Sequence, residues 1–133
     1  METITAGEMS EYLGISKFTL VHWVNRGVLK PHIHAHGRGG RRRFSFKNLF
    51  MGMVVVELHS VGFELWIILD IISSLENYTV DNLNKKVLWH TKAETNIIDE
   101  GELIEQLPTF SGAMVINLSH FLNMANLSWD GNR

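Results

Sequence analysis

Three consecutive arginines, Arg41, Arg42 and Arg43, follow Gly37-Arg38-Gly39-Gly40. Guanidinium groups beside a glycine turn can come close to a nucleic-acid backbone and donate paired hydrogen bonds to its phosphates. Upstream, Lys17, Thr19 and His22 lie in a stretch with helical spacing. A lysine can read guanine in the major groove, and a threonine can meet a thymine methyl. Ser16, Lys17, Thr19, His22, Arg38, Arg41, Arg42 and Arg43 are therefore the candidate DNA-binding residues. The plainer alternative is a solvated charge run for the arginines and ordinary surface positions for the others.

Two further clusters suggest chemistry but fit it poorly. His32, His34 and His36 alternate, so on a strand their imidazoles would share one face and could hold zinc, copper or nickel. No carboxylate nearby completes such a site, and a loop tip supports ligands badly. A polar face meeting solvent or a phosphate backbone is the better account, and no metal is assigned. Asp99, Glu100, Glu102 and Glu105 include two acids on one helix face, which is better explained as solvated. There is no cysteine. That removes disulfides, thiolate metal sites and cysteine nucleophiles. Phosphate-binding loops, the G-x-S-x-G elbow and H-E-x-x-H are also absent. The expectation is a non-enzyme with no catalytic residues and no cofactor.

The elements that would carry the cations are readable. Thr5 followed by Glu8 is a capping box that opens a first helix, with Ala6, Met9, Leu13 and Tyr12 on its buried side. Gly14 ends it. Ser16 caps the next helix, whose buried face is Leu20, Trp23 and Val24. Gly27 stops that helix at the position after the last turn, where positive φ costs glycine little. From Pro31 the pattern turns to alternation, glycines and then RRRFSF, predicting strand, glycine turn and strand. The segment Ile15 to Phe46 thus reads as a recognition helix followed by a basic wing. Ser45 caps a third helix, Phe46 to Leu58, with a core stripe of Phe46, Leu49, Phe50, Met53 and Val54. Gly52 is tolerated in it at about 1 kcal/mol.

A fourth helix, Glu64 to Leu75, is apolar nearly all round. Such a helix needs cover on a second side, and a contact with another subunit is favoured over cover by the C-terminal part. Beyond it, Val80, Leu83 and Val87 are diluted by Asn77, Asn82 and Asn84, a weak basis for a long dimer helix. The remainder predicts strands at Lys86–His90 and Thr95–Ile98, and a short helix capped by Asp99. It continues with a turn at Pro108 to Gly112, a buried strand at Ala113–Asn117, a closing helix at Leu118–Asn126 and a frayed tail, SWDGNR.

Charge divides along the same line. Residues 1–50 carry eight Lys/Arg against three acids, a net of +5, and residues 51–133 carry four against eleven, a net of −7, within an overall −2. A basic module joined to an acidic part with another task is the implied organisation. No run reaches the roughly 18 apolar residues of a membrane span, and the N-terminus lacks the basic region of a secretory signal.

These residues carry a resemblance. TAGEMSEYLGISKFTLVHWVNRGVLKP, GGRRRFS and LHSVGFELWIILDII, in that order and spacing, resemble the N-terminal part of MerR-family regulators over about residues 3–76. The sequence departs from the family where an arginine, an aromatic and an acid are usual, at Val21, His22 and Val24. The contacts of that arginine therefore do not carry over. Arg42 falls on the wing arginine, which the resemblance implies grips a phosphate. It implies a winged helix-turn-helix over residues 1–76; the rest of the chain, outside the resemblance, reads from its own pattern as a small α+β unit over 77–133 for dimerisation or an effector, so that the whole is mainly α with small β. The resemblance also implies a cytoplasmic, nucleoid-associated regulator that binds double-stranded DNA at promoters as a homodimer, with RNA polymerase as a further partner and an unnamed effector. Two alternatives stand beside it: an excisionase-like architectural DNA binder and a histidine-based metal sensor.

Overall fold

The structure, a computed structural model, describes residues 2–33, 41–91, 94–106 and 113–131. The N-terminal part runs β1 (Ile4–Thr5), α1 (Ala6–Leu13), α2 (Lys17–Asn25), β2 (Arg43–Phe44), α3 (Phe46–Ser60) and α4 (Leu65–Ser73). The remainder runs α5 (Val80–Leu83), β3 (Lys86–His90), β4 (Thr95–Asp99), a short 3-10 turn (Glu100–Glu102), α6 (Leu103–Gln106), β5 (Met114–Asn117) and α7 (Leu118–Gly131). The fold is mainly helical with two small antiparallel sheets, as expected. Among the described residues, no helix is long and apolar enough to cross a membrane.

The helix ends form where the sequence places them. Thr5 accepts from the Glu8 N–H while the Glu8 carboxylate accepts from the Thr5 N–H. Gly14 closes α1 in the left-handed region at φ 68°. Ser45 and Asn48 repeat the capping box at α3. Each pairing satisfies N–H groups that a helix start leaves open.

α3 is the central element, packed against α1, α4, α7 and β2. A single core stripe was expected. Instead every residue from Leu49 to Val55 is buried, because neighbours cover the helix on several sides. Gly52 has a packing reason: a Cβ there would lie 2.9 Å from Leu13 Cδ1 and 3.0 Å from Met9 Cε, so its missing side chain lets α1 come close.

On α4, Ile68, Ile71 and Ile72 are buried, Leu65, Ile67 and Leu69 are half-buried, and Trp66 is exposed. The second apolar side is thus only partly covered within the chain. The acidic remainder forms a sheet of order β4-β3-β5, with Leu88 paired to Ile97 on one side and Ile116 on the other.

Three expectations need correction here. The last strand is an edge strand in which Ile116 is buried and Val115 is 41% exposed, so it is not a buried strand. The segment expected to fray is helical through Gly131, because Trp129 is buried and sets its ring edge against Phe46 at 5.7 Å. Asp99 stands at the start of the 3-10 turn but makes no side-chain cap bond, since its carboxylate is taken by Lys86. Phe121, Leu122 and Ala125 of α7 join the same core as α3, so the two stretches of the chain share one interior.

Candidate nucleic-acid interface

α2 is fixed at both ends and underneath. Ser16 Oγ accepts from the Thr19 N–H at 3.0 Å and donates to Thr19 Oγ1 at 3.0 Å. Leu20 and Trp23 are buried, and the Trp23 ring lies 5.6 Å from that of His59 at the far end of α3. Gly27 turns the chain at φ 79°, and Val28 and Leu29 then enter the core. This leaves Lys17, Phe18, Val21, His22, Asn25 and Arg26 exposed. Lys17 and His22 stand where expected. Ser16 is exposed but occupied with capping, and Thr19 is half-buried with its hydroxyl held by Ser16.

The two described sides of the wing pair with each other, and β2 has a second partner. Arg43 and Ile33 exchange backbone hydrogen bonds of 2.9 and 3.1 Å, an isolated bridge between the two sides. The regular pairing of β2 is with β1, Ile4 opposite Phe44 and Thr5 opposite Arg43. The N-terminus of the chain thus supplies the partner strand, which the alternation after Pro31 did not reveal. Arg38, His34 and His36 lie outside the described residues.

The arginine triplet divides its work. Arg41 is exposed. Arg42 donates from Nη2 to Asn25 Oδ1 at 3.3 Å, tying the wing to the last turn of α2. Arg43 donates from Nε to Thr3 Oγ1 and from Nη2 to the Thr3 carbonyl, both at 3.0 Å. Those bonds hold the N-terminal strand and leave Arg43 fewer donors for a phosphate.

Asn48 is the positioning residue missed in the sequence. Its Oδ1 accepts from Ser45 N at 2.8 Å and from His32 N at 3.1 Å, and its Nδ2 donates to the Lys30 carbonyl at 2.8 Å. One side chain thereby caps α3 and holds the backbone entering the wing. The signal was available, since an asparagine three residues after Ser45 stands at the capping-box position. The reach to Lys30 and His32 was not available, being a contact across the fold.

Beside it, Lys30 pairs with the Glu76 carboxylate at 2.9 Å, and Lys47 Nζ donates to the Glu76 carbonyl at 2.7 Å. Burial pushes the Lys47 ammonium below the usual lysine range, against the opposing pull of Glu76. These bonds spend two cations of the basic half on structure. Lys17, Arg26 and Arg41 stay exposed, with Arg42 between them and the fold. Exposed cations around a protruding helix can bind an anionic groove. Among the described residues, no three His, Asp or Glu side chains gather as a metal site.

A family model described as a helix-turn-helix domain matches residues 3–50. No curated protein matches the chain. A solved structure described as HiNmlR, a MerR family regulator lacking the sensor domain, bound to promoter DNA, is similar over 98% of this chain and 82% of that one. Its TM-score is 0.47 and its sequence identity 20%. The N-terminal residues 3–50 are thus similar in sequence to a helix-turn-helix domain.

Proposed function

We propose that this protein is a MerR-type transcriptional regulator that binds double-stranded DNA as a homodimer at promoters. One observation carries the reading: Arg42, on the return side of the wing, donates to Asn25 of α2, so a wing arginine lies beside the exposed face of the recognition helix. α2 enters the major groove by its first turns, where Lys17 and His22 reach base edges or phosphates, while Arg41 and Arg42 meet the flanking backbone. Arg38 belongs to the same grip by its place in the sequence. Residues 1–76 form the DNA-binding unit, and residues 77–133 pair the subunits or receive an effector.

A homodimer places two recognition helices on a palindrome. Support for pairing comes from α4, where Trp66 is 68% exposed and a second apolar side is half covered. Bending the promoter would cost a few kcal/mol, which an effector could tune so that RNA polymerase engages. Action on chromosomal DNA places the protein in the cytoplasm, at the nucleoid.

An excisionase-like architectural role is favoured by one observation. The stretch where a long dimer helix would begin holds only α5, four residues long. Mass measurement of the protein on a single-site and a palindromic duplex separates the two readings by stoichiometry.

The test is fluorescence anisotropy on a random duplex at two salt concentrations. Binding that falls steeply with salt is expected. The double variant Arg41→Ala with Arg42→Ala should weaken binding to all duplexes and flatten the salt slope by about two. Unchanged affinity in that variant removes the wing from the interface.

A further inference from the structure

Phe18 is 86% exposed and Val21 39% exposed, on the one helix that the proposed function sends into the groove. Residues at i, i+3 and i+7 share a helix face, so Phe18, Val21 and Asn25 form one stripe. Asn25 is the residue that Arg42 holds. The wing therefore flanks the end of this stripe, and the stripe looks out from the same surface as the basic residues. A phenylalanine so open to water gains nothing in the free protein: the core beneath α2 is made by Leu20 and Trp23. The hydroxyl of Thr19, the nearest polar alternative, is turned to Ser16.

The major groove has one apolar feature, the C5-methyl group of thymine, and apolar side chains recognise it. We propose that Phe18 and Val21 are specificity-determining residues that contact thymine methyls, so that the preferred half-site carries thymine opposite the first turns of α2. Lys17 and His22 flank the stripe and supply the polar contacts that fix its register. Val21 stands where the resembled pattern has an arginine. The change replaces a cation with a short apolar group, which moves recognition at that position from hydrogen bonding to methyl contact. This inference rests on the DNA-binding reading above.

The experiment begins by selecting tight binders from a random duplex pool with the full chain. Selected duplexes are then remade with deoxyuridine for thymidine, one position at a time. The replacement removes only the methyl and leaves the pairing edge intact. Affinity is read by anisotropy for the unaltered protein, Phe18→Ala and Val21→Ala. Phe18 is exposed, so its replacement leaves the fold intact, and circular dichroism verifies this.

Affinity is expected to fall about fourfold for each contacted methyl, which corresponds to about 0.8 kcal/mol for a buried methyl-sized group. Phe18→Ala should abolish the preference for thymine over uracil at one position while keeping salt-sensitive binding to random duplex. Equal affinity for thymine and uracil duplexes overturns the inference and leaves the DNA-binding reading intact. So does a Phe18→Ala variant that weakens both duplexes alike, or one that alters only the oligomeric state. Failure to select any duplex removes both.

Discussion

The helix-turn-helix shares the apolar core with α7 but adds short-range polar bonds at its helix starts: Thr5 with Glu8, Ser16 with Thr19, Ser45 with Asn48. α7 is held by apolar contacts between residues far apart in sequence, with Trp129 on Phe46 and with Phe121, Leu122 and Ala125 in that core. The polar bonds fix where helices start and stop, and so fix which side chains are free to face a partner. The apolar contacts contribute area removed from water. Capping bonds of about 1 kcal/mol specify geometry, whereas buried aromatics of several kcal/mol decide whether the fold persists.

The largest test of this contrast is Trp129→Ala. Removing a buried tryptophan should cost about 3–5 kcal/mol, read as a lower midpoint in urea unfolding. A loss under about 0.5 kcal/mol, the range of an ordinary surface change, would erase the distinction between capping bonds and apolar contacts. Next is Gly52→Val, where added methyls meet Leu13 and Met9. A loss of about 1–3 kcal/mol is expected by the same measurement, although valine is the better helix former. Asn48→Ala should cost about 1–2 kcal/mol, from the cap and the two wing contacts together. It should also speed amide exchange at His32, whose N–H it binds. Unchanged exchange there would reduce Asn48 to a cap.

The smallest effect belongs to Lys86 and Asp99. The hydrogen bond and charge of Lys86 hold the Asp99 carboxyl below the usual carboxylate range, and Asp99 holds the Lys86 ammonium above the usual lysine range. For the depressed acid, stability is present above the unfolded value and is lost as pH falls through the folded one. For the raised base, it is present below the unfolded value and is lost as pH rises through the folded one. The pair therefore contributes most across the neutral range, and Asp99→Asn should flatten the acid side of the Tm-against-pH profile slightly. An unaltered profile would show the pair to be energetically silent, as exposed pairs can be.

This contrast also explains what could be read in advance. Caps act within three residues, so Thr5, Ser16, Ser45, Gly14 and Gly27 marked their helix ends from sequence alone. Strands Lys86–His90 and Thr95–Ile98 were legible because alternation and branched residues are local too, the second running one residue further, to Asp99. Trp129 was not, because a tail of SWDGNR holds one apolar anchor whose partner, Phe46, lies in the third helix. The second strand partner of Arg43 was missed for the same reason: the alternation after Pro31 pointed to the nearer segment, which Ile33 does supply, while Ile4 and Thr5 add a longer-range pairing. At the candidate interface, residue types named Lys17, His22 and the arginines. Only geometry separated Arg42, bound to Asn25 of α2, from Arg43, bound to Thr3.

α3 grips the helix-turn-helix at two places. Asn48 holds the backbone entering the wing, and His59 lies against the tryptophan beneath α2. The separation between α2 and that stretch of backbone is thus set by the length of one helix. Ordering this scaffold is a loss of entropy completed at folding, so a ligand meeting it need not supply that ordering on arrival. A fixed spacing of this kind sets the separation that a partner's groove and backbone must present, and a partner of another spacing must be reshaped to meet it.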